Sequence, residues 1–235
     1  MSVTVAVSVA SQRRLRQARA WLESRSKNEE VLIVGATLDS ANELTREVVK
    51  KKGAAFGWHR LSFSQLVAAT AAPVLATRGL VPISRIGAQA IAAGFVHRLW
   101  TEGGLNRYQP VGTTPGFPRA ITNVIAELGL ARVRSDALQD VAPDLVPIIR
   151  AYEDELADGG FSDWPAVLAL ATEAISAPNR HRLIGLPTLL LDVSISTVAE
   201  MAFVTALAAV TPAMLATISI SPFATRNTAS RAGPW

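Results

Sequence analysis

Two short stretches of the chain are apolar without interruption, Val31-Leu32-Ile33-Val34 and Leu189-Leu190-Leu191. A strand with one solvated face alternates apolar and polar residues, so unbroken runs predict strands of a parallel sheet covered on both faces. Val3-Thr4-Val5-Ala6-Val7 and the segment from Met214 to Ile220 predict two more.

Behind Val34 the period changes. Ala41, Leu44 and Val48 recur at helical spacing until Lys50-Lys51-Lys52-Gly53, with Asp39 as the expected N-cap, lysines at the negative end and Gly53 just past it. The first strand runs likewise into a helix over 12–24, whose apolar side is expected to carry Leu15, Ala18 and Leu22. Two successive strand–helix units predict a right-handed parallel layout.

From about Ser62 to Ser176 the pattern is helical throughout. Ser62-Phe63-Ser64-Gln65 reads as a capping box, and Ser84 as the cap of a helix carrying Ile86, Ala90, Ile91, Phe95 and Leu99. Further helices are expected over Phe117 to Leu128, Pro143 to Leu156 and Pro165 to Ile175. The chain returns to strand at Pro187. The expectation is an α/β fold with a parallel sheet, interrupted by an all-helical insertion: sheet over 1–61, insertion over 62–182, return to the sheet over 183–220 and an irregular tail over 221–235, loosely ordered.

Met201 to Ile220 holds no charged residue over 20 positions, enough to raise a membrane span. Thr205, Thr211, Thr217, Ser219 and Pro212 argue instead for a helix followed by a buried strand, and no membrane role is expected. The basic cluster of Arg13, Arg14, Arg16 and Arg19 follows the apolar start where a secretory signal would have it first, so a cytoplasmic location is expected.

Half the chain is apolar (49%) and only 18% is charged, which supplies an ample core and suggests a surface that is partly covered. There is no cysteine, which removes disulfides, thiolate metal sites and cysteine nucleophiles. Net charge is +4 and 19 of the 23 basic residues are Arg, a balance that permits a polyanionic partner.

A phosphate loop needs glycines for close backbone approach, a Lys for the terminal phosphates and a Ser or Thr for magnesium. After the first strand the chain reads Ser8-Val9-Ala10-Ser11-Gln12-Arg13-Arg14, with no glycine and no such Lys. Leu189-Leu190-Leu191-Asp192 has the form by which motor ATPases place a magnesium-binding carboxylate at the sheet's carboxyl edge, and more commonly that of an Asp turning the chain at a strand end. The next residue, where a catalytic acid would stand, is Val193. Ser8, Ser11 and Asp192 are therefore expected to form at most a vestigial nucleotide and magnesium site, with no catalytic residue, no metal site and no cofactor besides a residual ATP/Mg position. His59, His97 and His181 lack ligand spacing, and Glu153, Asp154, Glu155 and Asp158 read as a solvated helix face.

Several stretches together resemble a known family. Glu30 to Thr37 with its following helix resembles the Ia motif region of superfamily 1 helicases. Phe56 to Leu66 is similar to the stretch that follows it in AddB-type subunits of bacterial helicase–nucleases and related PD-(D/E)XK nuclease family proteins. So is the succession Pro115-Gly116-Phe117-Pro118-Arg119-Ala120 to Glu127-Leu128, then Pro143-Asp144-Leu145 to Tyr152-Glu153-Asp154-Glu155-Leu156 and Phe161-Ser162-Asp163. Leu189 to Asp192 with Glu200 and Phe203 looks like their degenerate motif II. The likeness runs to about Ile220 and covers only the amino-terminal part of such a protein.

The resemblance implies a P-loop helicase-like (RecA-like) domain, ATPase-inactive, of a subunit that processes DNA double-strand breaks for recombination and repair beside an active helicase subunit. It implies Asp192 at the magnesium position and Thr37 near DNA. Arg13, Arg14 and Arg60 are the further expected DNA contacts. The family's nuclease domain and iron–sulfur cysteines have no counterpart in these 235 residues. The loss of pattern after Ile220 is what a truncated or frame-shifted reading would produce. Two alternatives remain open: an interaction domain docking to an active helicase subunit, and an ATPase with an unconventional phosphate site.

Overall fold

The computed structural model describes residues 2–220. In chain order its longer elements are β1 (Ser2–Val7), α1 (Ser11–Glu23), β2 (Val31–Gly35), α2 (Leu38–Lys52), β3 (Trp58–Ser62), α3 (Phe63–Arg78), β4 (Val81–Pro82), α4 (Arg85–Thr101), α5 (Phe117–Leu130), α6 (Val146–Asp158), β5 (Phe161–Ser162), α7 (Trp164–Ile175), β6 (Thr188–Leu191), α8 (Val198–Val210) and β7 (Ala213–Ile218). The fold is α/β, and the chain divides into two compact units.

The described residues of the first unit are 2–67, 180–195 and 205–220. It holds a five-stranded sheet, every pair parallel, in the order β1-β7-β6-β2-β3. The two unbroken apolar runs are its inner strands, and every residue of β2 and β6 is buried. Val31, Ile33, Leu189, Leu191, Leu215 and Ala6 point to one face, where Ala18 and Leu22 of α1 and Ala41, Leu44 and Val48 of α2 pack on them. The alternation of side chains puts Val3, Val5 and Val7 of edge strand β1 on the other face, 51%, 52% and 53% exposed.

Local chemistry explains the boundaries and corrects two expectations. The N-cap of α2 is Thr37, not Asp39: its Oγ1 accepts the Ser40 N–H at 3.1 Å while Ser40 Oγ accepts the Thr37 N–H at 3.3 Å. Serine here takes the reciprocal place usually held by Glu or Gln, and Asp39 falls in the first turn. Gly35 is required beneath this cap, since a Cβ there would strike the Thr37 carbonyl and Ser40 Oγ. The second correction is β3, a strand where the sequence pattern assigns no element. As an edge strand it tolerates polar residues, Arg60 pointing to solvent, and it ends in the expected capping box: Ser62 Oγ accepts the Gln65 N–H at 3.2 Å and Gln65 Oε1 accepts the Ser62 N–H at 2.9 Å.

The charge-free stretch resolves into α8, a break at Thr211-Pro212 and β7. No helix among the described residues is long and apolar enough to cross a membrane.

The second unit, Ala68–Asn179 with Ser196–Val204, is helical apart from the two-residue parallel pair β4–β5. The division thus falls inside α3 and gives the start of α8 to the helical unit, where the sequence pattern assigns 183–220 to the sheet. Phe95, Phe117, Ile121, Ile148 and Tyr152 centre a core shared by α4, α5 and α6. Ser84 caps α4 as expected, accepting the Gly87 N–H at 3.1 Å, but Ile86 is 78% exposed and the buried face runs through Ala88, Ala92, Phe95 and Val96. The expected helix from Pro143 begins as a 3-10 turn, and α6 starts at Val146 with Pro147 in its first turn. The tail over 221–235 lies outside the described residues.

Candidate functional site at the carboxyl edge of the sheet

Ligands of open α/β sheets bind outside the carboxyl ends of the strands. At this edge β1, β7 and β6 lie side by side, with Leu191 opposite Thr217 and Thr217 opposite Ala6. Asp192 follows β6 directly. Its φ of 51° is left-handed, a conformation that Asp tolerates better than most residues because its short side chain bonds locally. Asp192 thus turns the chain at the strand end, and the tight turn leaves its side chain at the carboxyl edge.

Both carboxylate oxygens are held. Arg14 Nε donates to Oδ1 at 2.7 Å and Nη2 donates to Oδ2 at 3.0 Å, a bidentate fork. Thr217 Oγ1 also donates to Oδ1, at 2.7 Å, and accepts the Asp192 N–H at 2.9 Å. Arg14 Nη1 donates to the carbonyls of Ser8 and, at 3.1 Å, Val9. One side chain therefore closes the turn where a phosphate loop would open, and ties it to the carboxylate two strands away. Burial raises the Asp192 pKa, but the Arg14 and Thr217 hydrogen bonds with the Arg14 charge outweigh it and hold the carboxyl below its usual range; the same partnership raises Arg14.

Arg14 lies on the buried side of α1 with Ala18 and Leu22, one turn apart each. The expectation that it contacts DNA is corrected: its residue exposure is 5%, and its guanidinium is spent inside the protein. Val193 is buried at 7%, a core residue and no stand-in for an acid. Ser8 Oγ accepts the Ala10 N–H at 3.1 Å, and Ser11 is exposed at the start of α1. Thr37 caps α2 at the same edge, and Arg13 is exposed on α1. Arg60 is not at this edge, since it pairs with Ile33 in the middle of β3.

Beside the Arg14–Asp192 pair a groove of about 450 Å³ opens between α1 and α2, lined by Leu15, Arg19, Ser40, Glu43, Glu47 and Asp192 among others. Arg19 pairs with Glu47 and Arg14 with Asp192, which leaves Glu43 as the uncompensated charge. Magnesium would need several oxygen ligands with lone pairs to spare, and Asp192 has its oxygens already bonded; among the described residues no group of three or more His, Asp or Glu side chains is placed to hold a metal. The residues present do not fit ATP/Mg. The three histidines are not brought together: His59 lies 3.7 Å from Glu30, His97 stacks on Trp100 and His181 accepts the Leu183 N–H.

Two features were hidden from sequence reasoning. Thr217 stands 25 residues after Asp192 and meets it only through strand pairing, although a Thr inside an otherwise apolar strand is a usable signal. Arg14 sat in view, but its partner is 178 residues away. Compared with known proteins, the chain matches no family model and no curated protein.

Proposed function

We propose that this chain is a non-hydrolysing, helicase-like module of a DNA-end-processing assembly for recombination and repair, retaining the sheet of a nucleotide motor while its own arginine fills the nucleotide site. The observation that carries this reading is the Arg14–Asp192–Thr217 cluster, which occupies the carboxylate that a motor uses for magnesium. The resemblance of Glu30 to Thr37, Phe117 to Leu128 and Tyr152 to Asp163 to AddB-type proteins supplies the DNA context. Arg13 and Arg60 are exposed and available to phosphates, and Thr37 marks the edge where the resemblance puts the strand. Such a module contributes a track for DNA while a partner helicase subunit turns over ATP.

The test is binding of duplex ends and single strands at low salt, alone and with a candidate helicase subunit. Binding that weakens steeply with salt supports the reading, since neutralised phosphates release counterions; no binding in either setting removes the DNA role.

A second reading, a docking domain, is favoured by β1. This edge strand carries no charge, exposes Val3, Val5 and Val7, and lacks the Lys, Pro or bulge that protects free edges. A charge introduced at Val5 that abolishes capture of a helicase subunit while leaving DNA binding intact favours docking over DNA contact.

A further inference from the structure

The two edges of the sheet are guarded differently. β3 carries His59 and Arg60, and pairing with a copy of itself centred on Arg60 would set like charges opposite each other. β1 carries no such guard: the chain holds no charged residue from Ser2 to Gln12, and the register of β1 on β7 runs without a bulge.

The peptide groups of β1 have a fixed sense. Ser2 N–H donates to the Pro212 carbonyl at 3.1 Å and Ser8 N–H to the Ile218 carbonyl at 3.2 Å, so the even-numbered residues turn theirs towards β7. Successive strand residues point their N–H and C=O to opposite sides. Val3, Val5 and Val7 therefore turn theirs outward, where β1 has no strand beside it. The side chains of the same valines are half-exposed on the face away from α1, and the register sets Ala216 and Ile218 of β7 beside Val5 and Val7. Unpaired peptide groups and exposed apolar side chains thus belong to the same residues.

The sequence of this edge reads nearly alike in both directions. About Val5, Thr4 mirrors Ala6, Val3 mirrors Val7 and Ser2 mirrors Ser8. Such a strand is complementary to itself reversed, which is what a two-fold contact between identical chains demands.

We propose that β1 pairs antiparallel with β1 of a second copy, about a two-fold axis through Val5. Val5 then faces Val5 and Val3 faces Val7 of the other copy, so each outward N–H and C=O of these residues meets a partner. A shift by two residues leaves Val3 or Val7 with no counterpart inside the strand. Between the hydrogen-bonded pairs, where opposed side chains come closest, Thr4 meets Ala6, and both are small. The valines of both copies merge into one apolar strip with Ala216 and Ile218 along its flanks. A contact made by one strand lies below the roughly 1,200 Å² of ordinary specific interfaces, so the dimer is reversible and forms in the upper micromolar range. No charge is joined across it while each copy carries a net +4, so salt is expected to leave it unchanged or strengthen it, the reverse of DNA binding. The pairing rests on the same free edge as the docking reading and names a copy of the chain as its occupant; the DNA role does not depend on it.

The experiment is sedimentation of the whole chain from micromolar to millimolar concentration, followed by cysteine pairing. A monomer–dimer equilibrium is expected, and Val5→Lys, at an exposed position, is expected to leave only monomer over that range. The chain has no cysteine of its own, so single substitutions read the register. Val5→Cys is expected to form an interchain disulfide on oxidation, its Cα atoms standing about 5.5 Å apart across the axis. Val3→Cys alone and Val7→Cys alone are expected not to, since identical residues there lie about 14 Å apart along the strands, whereas a mixture of the two is. Should Val5→Lys not fold, the cysteine series decides by itself. A monomer at every concentration, a dimer that persists in Val5→Lys, or Val3→Cys linking to itself as readily as Val5→Cys overturns the proposal. So does a monomer that captures a helicase subunit through Val5, which gives the edge to that subunit.

Discussion

The guanidinium of Arg14 holds both oxygens of Asp192, at 2.7 and 3.0 Å, across the intervening strand β7. Arg14 leaves only 6% of its side chain exposed and Asp192 28%, so the pair is screened by salt less than a surface pair would be. Arginine reaches from the first turn of α1 where a phosphate loop would put backbone amides and a lysine. A site built this way stores its cation in the protein.

Arg14→Ala is expected to destabilise the sheet unit by about 1–3 kcal/mol, because it strands a partly buried carboxylate and frees the Ser8 and Val9 carbonyls. Arg14→Lys should recover only part, since an ammonium cannot make the two-pronged contact. Urea denaturation of the three proteins checks the order. Equal midpoints would show that the pair contributes nothing.

Acid should find the same pair. The folded pKa of Asp192 lies below its unfolded value, so its contribution is fully present above the ordinary carboxylate pKa and is lost as pH falls through the depressed folded value. Asp192→Asn is therefore expected to be the less stable protein at neutral pH, with the difference shrinking through the acid range. Asp163 runs the other way: its raised pKa means that folding strengthens proton binding, so its ionisation costs stability as pH climbs from the ordinary value through the folded one. Stability curves of Asp192→Asn and Asp163→Asn against the unaltered protein should bend in opposite directions over that range.

Glycine substitutions separate close approach from backbone conformation. Gly35→Ala would drive a methyl into the Thr37–Ser40 cap and is expected to cost on the order of 1–3 kcal/mol. Gly53→Ala has open space around it and faces only the left-handed φ of 87°, a cost of about 1 kcal/mol. Thermal melts that rank the two the other way would refute this account of the α2 cap.

DNA binding discriminates the two neighbouring arginines of α1. Arg13 is exposed and Arg14 is not. If the strand crosses this edge, Arg13→Ala should lower the salt dependence of binding by about one phosphate contact, while Arg14→Ala leaves the slope unchanged. Identical slopes for Arg13→Ala and the unaltered protein would remove Arg13 from the interface.

Buried, uniform environments write themselves plainly into sequence. β2 and β6 are apolar at every inner position because both faces are covered, and the α2 terminus is marked by Lys50 to Lys52 and Gly53. Edge strand β3 escapes such reading since Arg60 and Ser62 obey solvent, and Ile86 misleads because α4 buries small alanines instead. At the carboxyl edge the absence of a phosphate-loop lysine and glycines is evident from Ser8 to Arg14, whereas the Arg14–Asp192 pair is not. A buried arginine looks like a surface one until its partner is brought from 178 residues away. Pairings of that kind are made by topology, and local pattern carries no trace of them.

The most direct test of the closed site is equilibrium binding of ATP with magnesium to the whole chain, measured by calorimetry beside Arg14→Ala and Asp192→Ala. The account predicts no saturable binding at millimolar nucleotide for the unaltered protein, and none for Arg14→Ala, because no lysine or glycine loop stands ready to take over. Saturable, magnesium-dependent binding that disappears in Asp192→Ala would contradict it.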